Sequence, residues 1–240
     1  MKLLYSNILP LGTADDQQTI IDCFQEQLAK ADYVEIAVGY VSRASLEELD
    51  NLITDYSIKQ ICLNIGMYYI EGMPESSYHT AVKINKKWRA SKTGEIRIVR
   101  SFKYHGKLYC FYKDGVPFSA IIGSANLGVI KLEASNRRQY EISSLTTDPS
   151  ECKEISDFIQ KLKSPACSAN IEDISDMPLI FEKNTALSGI ELVAEVPPSN
   201  VEFYKRCSAY ASFLLPLKVP AYAERHMDDG KHFTKSNVNV

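Results

Sequence analysis

The chain has 240 residues, 45% hydrophobic and 24% charged, the balance of an ordinary globular protein with ample material for a core. That length fits one large domain, or a domain of about 150 residues followed by something smaller. A formal net charge of −3 excludes nucleic-acid binding driven by overall charge, and no apolar run approaches the roughly 18 residues of a membrane-spanning helix.

The opening MKLLYSNILPLGTADD carries one lysine and a broken apolar segment, so no secretory leader is expected. Through ADDQQTIIDCFQEQLAKA the apolar Ile20, Ile21, Phe24 and Leu28 recur on one helical face, with Asp15 and Asp16 in the expected first turn. YVEIAVGYVS, residues 33–42, is β-branched and apolar, as a buried strand is. SLEELDNLITDY then reads as a helix, KQICLNIGMYY as a second buried strand, SSYHTAVKINKKWRAS as a capped helix and EIRIVR as a third strand. GKLYCFYK and PFSAIIGS follow as two strands joined through Asp114-Gly115, a hairpin signal. RQYEISSLT is a further strand, and PSECKEISDFIQKLK has an N-terminal proline and a helical period. Strands interleaved with helices predict an α/β layer architecture, with helices packed on a mixed sheet that the hairpin makes partly antiparallel.

After Lys163 the texture changes. SPACSANIEDISDMPLIFEKNTALSG is weakly periodic and rich in small and turn residues, whereas IELVAEVPPSN and ASFLLPLKVPAYAE resemble short strands interrupted by prolines. The chain closes on KSNVNV, an alternating run without a terminating turn. The expected organisation is a first domain over 1–165, a linker over 166–189, and over 190–240 the start of a small β-rich domain cut short at Val240. Six scattered cysteines include no C-x-x-C pair, and five lie in or beside apolar segments. They read as small buried hydrophobes of a reduced, cytoplasmic protein without structural zinc.

Charge is uneven along the chain. Between Lys83 and Lys107 lie nine basic residues against one acid, Glu95. Part of this run is a solvated helix face. The remainder, with Lys83, Lys86, Lys87 and Lys103 as candidates, reads equally as more of that solvated face or as a track for phosphates. The run ends at YHGKLYCFYKDGVPFSAIIGSANLG, residues 104–128. His105 and Lys107, two apart on an expected strand, face the same way. Gly123-Ser124-Ala125-Asn126 closes the paired strand and offers backbone amides and polar side chains to an anion. A neutral imidazole is a nucleophile, Lys107 a fixed cation and Asn126 a neutral donor, a set suited to attack at phosphorus. The blander role for Ser124 is to cap the following turn.

HGK followed by GSAN resembles the H-x-K…G-S-x-N signature of the phospholipase D superfamily. The resemblance covers roughly residues 30–165 and is strongest to its restriction-endonuclease branch, the NgoFVII-like enzymes. It implies a phospholipase D-like mixed sheet flanked by helices, with a B3-like DNA-reading domain after it. It also implies that His105 forms a covalent phosphohistidine, that Lys107 and Asn126 hold the phosphoryl oxygens, and that Glu141 orients the histidine. Two features depart from the family pattern: Tyr112 stands where an aspartate is usual, and the gap from Lys107 to Gly123 is longer.

The expected function is therefore metal-independent hydrolysis of double-stranded DNA, with no cofactor and no membrane attachment. The sequence lacks the acidic clusters a two-metal nuclease uses. A single H-x-K implies a homodimer with a composite active site, because in-line displacement needs a proton donor opposite the nucleophile. Two rivals remain. A phospholipase D-type phosphatidyl hydrolase or transferase should carry a membrane-binding segment, and a non-catalytic DNA-binding module would not need the four polar groups together. His79, His226 and His232 read as surface or capping residues, Asp228-Asp229 as a solvated turn, and Trp88 as core or as a platform for a base.

Overall fold

Along Tyr33–Val38 (β3), Val34, Ile36 and Val38 join one core while Ala37, on the opposite face, joins another. Both faces of this strand are covered, which is why it reads as a continuous apolar run and not as an alternation. A computed structural model describes residues 1–131, 139–180, 226–228 and 231–233. The chain divides into two units, Met1–Phe181 and Glu182–Val240.

The first unit is built on one mixed sheet. Its strands are β1 (Lys2–Tyr5), β2 (Gln18–Thr19), β3, β4 (Gln60–Ile65), β6 (Gly94–Val99), β7 (Leu108–Lys113), β8 (Val116–Gly123), β9 (Ile142–Thr146) and β10 (Ser168–Asn170), in the order β10-β6-β4-β3-β7-β8-β9-β1-β2. A separate short pair joins β5 (Met73–Pro74) to β11 (Leu179–Ile180). β6, β4 and β3 run parallel, and β3-β7-β8-β9-β1 run antiparallel to their neighbours. The C-terminal ends of β3, β4, β6 and β8 therefore meet the N-terminal ends of β7 and β9 at one end of the sheet.

Helices α1 (Ile20–Lys30), α2 (Arg43–Asp55) and α4 (Glu75–Ala90) supply the larger core, and the one-turn α3 (Tyr68–Glu71) follows β4. Ser42 and Ser45 cap α2 reciprocally. Trp88 is buried there, its Nε1 donating to Asp50 Oδ1 at 2.9 Å, so it is core. The second core lies beneath α5 (Pro149–Leu162), whose N-cap Asp148 accepts from the amides of Ser150 and Glu151. A buried polar tie fixes α5 to the sheet. Glu35, fully buried, accepts from Lys163 and Gln160, both at 2.7 Å, and from the hydroxyls of Tyr33 and Tyr112. Cys23, Cys62, Cys110 and Cys152 are buried and unpaired, as small hydrophobes.

Three local expectations shift. α1 starts at Ile20 because Thr19 caps it, accepting from the Asp22 amide, and this leaves Asp15 and Asp16 outside the helix. β7 starts at Leu108, so His105 and Lys107 precede the strand, although the Lys107 carbonyl still accepts from the Gly123 amide at 3.3 Å. Residues 168–180, expected within the linker, extend the first unit. Ser168–Asn170 pairs with β6 and covers its edge, while Ile171 and Ile174 are buried in the main core. In the second unit, β12 (His226–Asp228) and β13 (Lys231–Phe233) pair antiparallel, with Asp228 opposite Lys231. The proline-interrupted strands expected within 190–224 lie outside the described residues.

Candidate active site

The hairpin of β7 and β8 turns through Asp114 at φ 50° and Gly115 at φ 78°, the left-handed pair of a two-residue loop. At its other end His105 and Lys107 lead into β7, and Ser124 and Asn126 follow β8. His105 is exposed and Lys107 is buried. The Lys107 ammonium lies 2.9 Å from His105 Nδ1 and 3.1 Å from Nε2, and it donates to the His105 carbonyl at 2.7 Å. Only an unprotonated ring nitrogen can accept from that ammonium, and an unprotonated nitrogen is the nucleophilic form. Burial pushes the Lys107 ammonium below its usual range, while the Glu141 carboxylate pulls it back up.

Asn126 comes to the same place from β8. The Tyr109 hydroxyl donates to the Ala125 carbonyl at 2.8 Å and fixes the intervening turn. The Tyr40 amide donates to Asn126 Oδ1 at 3.0 Å, so the oxygen of the side-chain amide is engaged and its NH2 is the end left to donate. Gly39 shows how closely the parts approach. A Cβ there would meet His105 Cδ2 at 2.9 Å and Asn126 Oδ1 at 3.4 Å. His105, Lys107 and Asn126 thus surround one point at the end of the sheet.

Ser124 and Glu141 form the flank. The Ser124 hydroxyl donates to Glu141 Oε2, and its oxygen accepts from the Ile142 amide at 3.1 Å. Ser124 is therefore bound across to the strand beside it and does not cap the following turn. The Gly123 and Ser124 amides complete the ladder onto Lys107 and Ile142, so neither is turned toward an anion. Glu141 is held in turn by Ser6, whose hydroxyl accepts from the Glu141 amide at 3.0 Å.

The four lysines proposed for the phosphate track separate into two groups. Lys103 lies two residues before His105 and pairs with Glu71 at 3.0 Å. Lys83, Lys86 and Lys87 are exposed in the second half of α4, which ends at the opposite end of the sheet before β6 begins. Lys87 is also paired with Asp50 at 2.8 Å. Counting charges along the chain does not reveal which end of a helix they occupy.

Gly39, Tyr40 and Glu71 adjoin these residues, and none of the three lies within the H-x-K…G-S-x-N motif. The Tyr40 ring meets the His105 ring edge-on with centroids 5.7 Å apart, and its hydroxyl donates to Glu71. The available signal was positional: both Gly39-Tyr40 and Gly66-Met67 follow a buried strand directly. Among the described residues no group of three or more His, Cys, Asp or Glu side chains converges as a metal site requires. No helix among them is long and apolar enough to cross a membrane.

A family model described as "NgoFVII restriction endonuclease N-terminal PLD domain" matches residues 18–176. No curated protein matches the chain. Among solved structures, the phosphatidylserine synthase of Haemophilus influenzae Rd KW20 aligns with a TM-score of 0.47 and 12% identity, over 72% of this chain and 41% of that one.

Proposed function

Since the chain belongs to the family of NgoFVII restriction endonuclease N-terminal PLD domains, we propose that it hydrolyses phosphodiester bonds of double-stranded DNA through a covalent phosphohistidine on His105. The observation that carries this reading is the meeting of His105, Lys107 and Asn126 at one end of the sheet, with Tyr40 fixing the sense of the Asn126 amide. In the reaction, a neutral His105 nitrogen attacks phosphorus and the bond to the leaving oxygen breaks. Lys107 and the Asn126 NH2 hold the non-bridging oxygens, where charge accumulates. Water then attacks the phosphohistidine, releasing the phosphate end and restoring the imidazole. Ser124 and Glu141 keep a negative charge close to the Lys107 ammonium and so preserve its proton. Protein donors supply the charge stabilisation, and no metal or cofactor takes part.

The leaving oxygen needs a proton from the far side of the phosphate, and we assign this to His105 of a second copy. A row of exposed apolar side chains supports such pairing. Ile122 on β8 stands opposite Ser144, which stands opposite Leu3 on β1, and Ile142 follows Glu141 directly. Leu3, Ile122 and Ile142 are 56%, 40% and 50% exposed, beside the Gly123–Leu127 turn. Residues 1–165 are assigned the chemistry, and the region beyond about residue 190 the choice of DNA sequence.

The test is plasmid cleavage by the full chain in excess EDTA, with His105→Ala alongside and phosphatidyl vesicles as a second substrate. Cleavage that persists in chelator and vanishes in a folded His105→Ala variant is the expected result. Loss of activity in EDTA restored by magnesium, or headgroup release without DNA cleavage, would overturn it.

A further inference from the structure

Beside His105 sits a cluster that this mechanism does not use. Glu71, at the end of α3, accepts from the Tyr40 hydroxyl through Oε2 and from the Lys103 ammonium through Oε1 at 3.0 Å. Both donors adjoin the nucleophile: Lys103 is two residues before His105, and the Tyr40 ring lies edge-on to it. The platform beneath them is fixed, since the Val41 amide donates to the Tyr68 hydroxyl at 3.2 Å and the Tyr40 and Tyr68 rings pack edge-on at 5.4 Å.

We propose that Lys103 and the Tyr40 hydroxyl form a second phosphate subsite beside the scissile position, and that the Glu71 carboxylate occupies it until a neighbouring phosphate of the DNA strand displaces it. The inference rests on the nuclease reading of the same site. A phosphodiester presents one negative charge over two non-bridging oxygens, as a carboxylate does, so both fit a cradle of one ammonium and one phenol. The Tyr40 and Lys103 hydrogen bonds hold Glu71 below the usual carboxylate range, which keeps the internal anion charged. Exchange is easy because the pair is open to water: the Lys103 and Glu71 side chains are 53% and 35% exposed. Exposed pairs of this kind contribute little and yield readily to a competing anion. Glu71 therefore weakens binding of any nucleic acid that does not place a second phosphate at the subsite.

Duplex affinity of the full chain, made cleavage-dead by His105→Ala, tests the subsite by fluorescence anisotropy across a salt series. Glu71→Gln should tighten binding about two- to fivefold, the range set by one exposed ion pair. Lys103→Gln should weaken it and lower the salt slope by about one. The gain from Glu71→Gln should disappear in the Lys103→Gln background. Asp55→Asn, the same charge change at the far end of α2, controls for net charge. A Glu71→Gln effect no larger than that of Asp55→Asn, or one that survives without Lys103, would overturn the subsite. Those results beside EDTA-resistant cleavage by the wild type would leave the nuclease reading standing. Absence of both cleavage and duplex binding would remove the two together.

Discussion

Replacing Gly39 with alanine should separate catalysis from folding. The new Cβ would lie 2.9 Å from His105 Cδ2, 3.3 Å from Met67 Cγ and 3.4 Å from Asn126 Oδ1. Carbon atoms settle at about 3.5–4.0 Å, so the His105 ring must retreat by roughly 0.6–1.1 Å. It is the group free to move. Met67 is buried, and Asn126 Oδ1 is bound to the Tyr40 amide at 3.0 Å. Because an exposed ring yields, the fold should lose only about 1 kcal/mol, the low end of overpacking. For a chain of this size that is a fall of about 2–4 °C in Tm. In-line attack is far less tolerant, since a displacement near 1 Å costs about a hundredfold in rate. Single-turnover plasmid cleavage beside a thermal melt measures both. A cleavage rate within about threefold of wild type would mean that His105 does not attack from this position. A Tm lowered by much more than about 10 °C would mean that the strand end, not the ring, gives way.

Glu141→Gln removes the charge that raises Lys107. The ammonium then loses its proton at lower pH, and the alkaline limb of the pH–rate profile should move down; an unmoved limb would take Lys107 out of that role. Glu35→Ala leaves Lys163, Gln160 and two tyrosine hydroxyls without their acceptor and should destabilise the chain by about 3–5 kcal/mol, read as a lower denaturant midpoint. Excess His105→Ala subunits mixed with wild type under exchanging conditions should poison cleavage beyond simple dilution. A strictly proportional fall would show each chain acting alone.

The strands that the sequence revealed are those buried on both faces or ended by strong turn chemistry, such as β3 and the Asp114-Gly115 hairpin. β1 escaped notice because only Leu4 faces the core while Leu3 is 56% exposed, which leaves no apolar run to read. β10 escaped for a different reason: it is three residues long and is ordered by the edge of β6, not by its own pattern. The site divides along the same line. His105, Lys107, Ser124 and Asn126 lie within one hairpin, so their spacing carries the signal. Gly39, Tyr40 and Glu71 arrive from two other strand ends, through the order β4-β3-β7-β8, which no local period encodes.

Tyr112 clarifies the first of the two departures from the family pattern. It lies five residues beyond Lys107 along β7, about 16 Å away at the usual rise of a strand. There its hydroxyl donates to Glu35 at 2.5 Å and accepts from the Ser156 hydroxyl, 2.9 Å away, beneath α5. The position belongs to the tie between sheet and helix, at the end of the sheet opposite His105. The carboxylate of that tie comes from the neighbouring strand, and Tyr112 supplies a donor to it. Substitutions that keep a donor facing Glu35 should therefore change stability without changing the chemistry. The reverse holds at Gly39, where a single methyl group alters the approach of His105 and barely touches the core. The sheet separates the two tasks by its length, and the hairpin of β7 and β8 spans both.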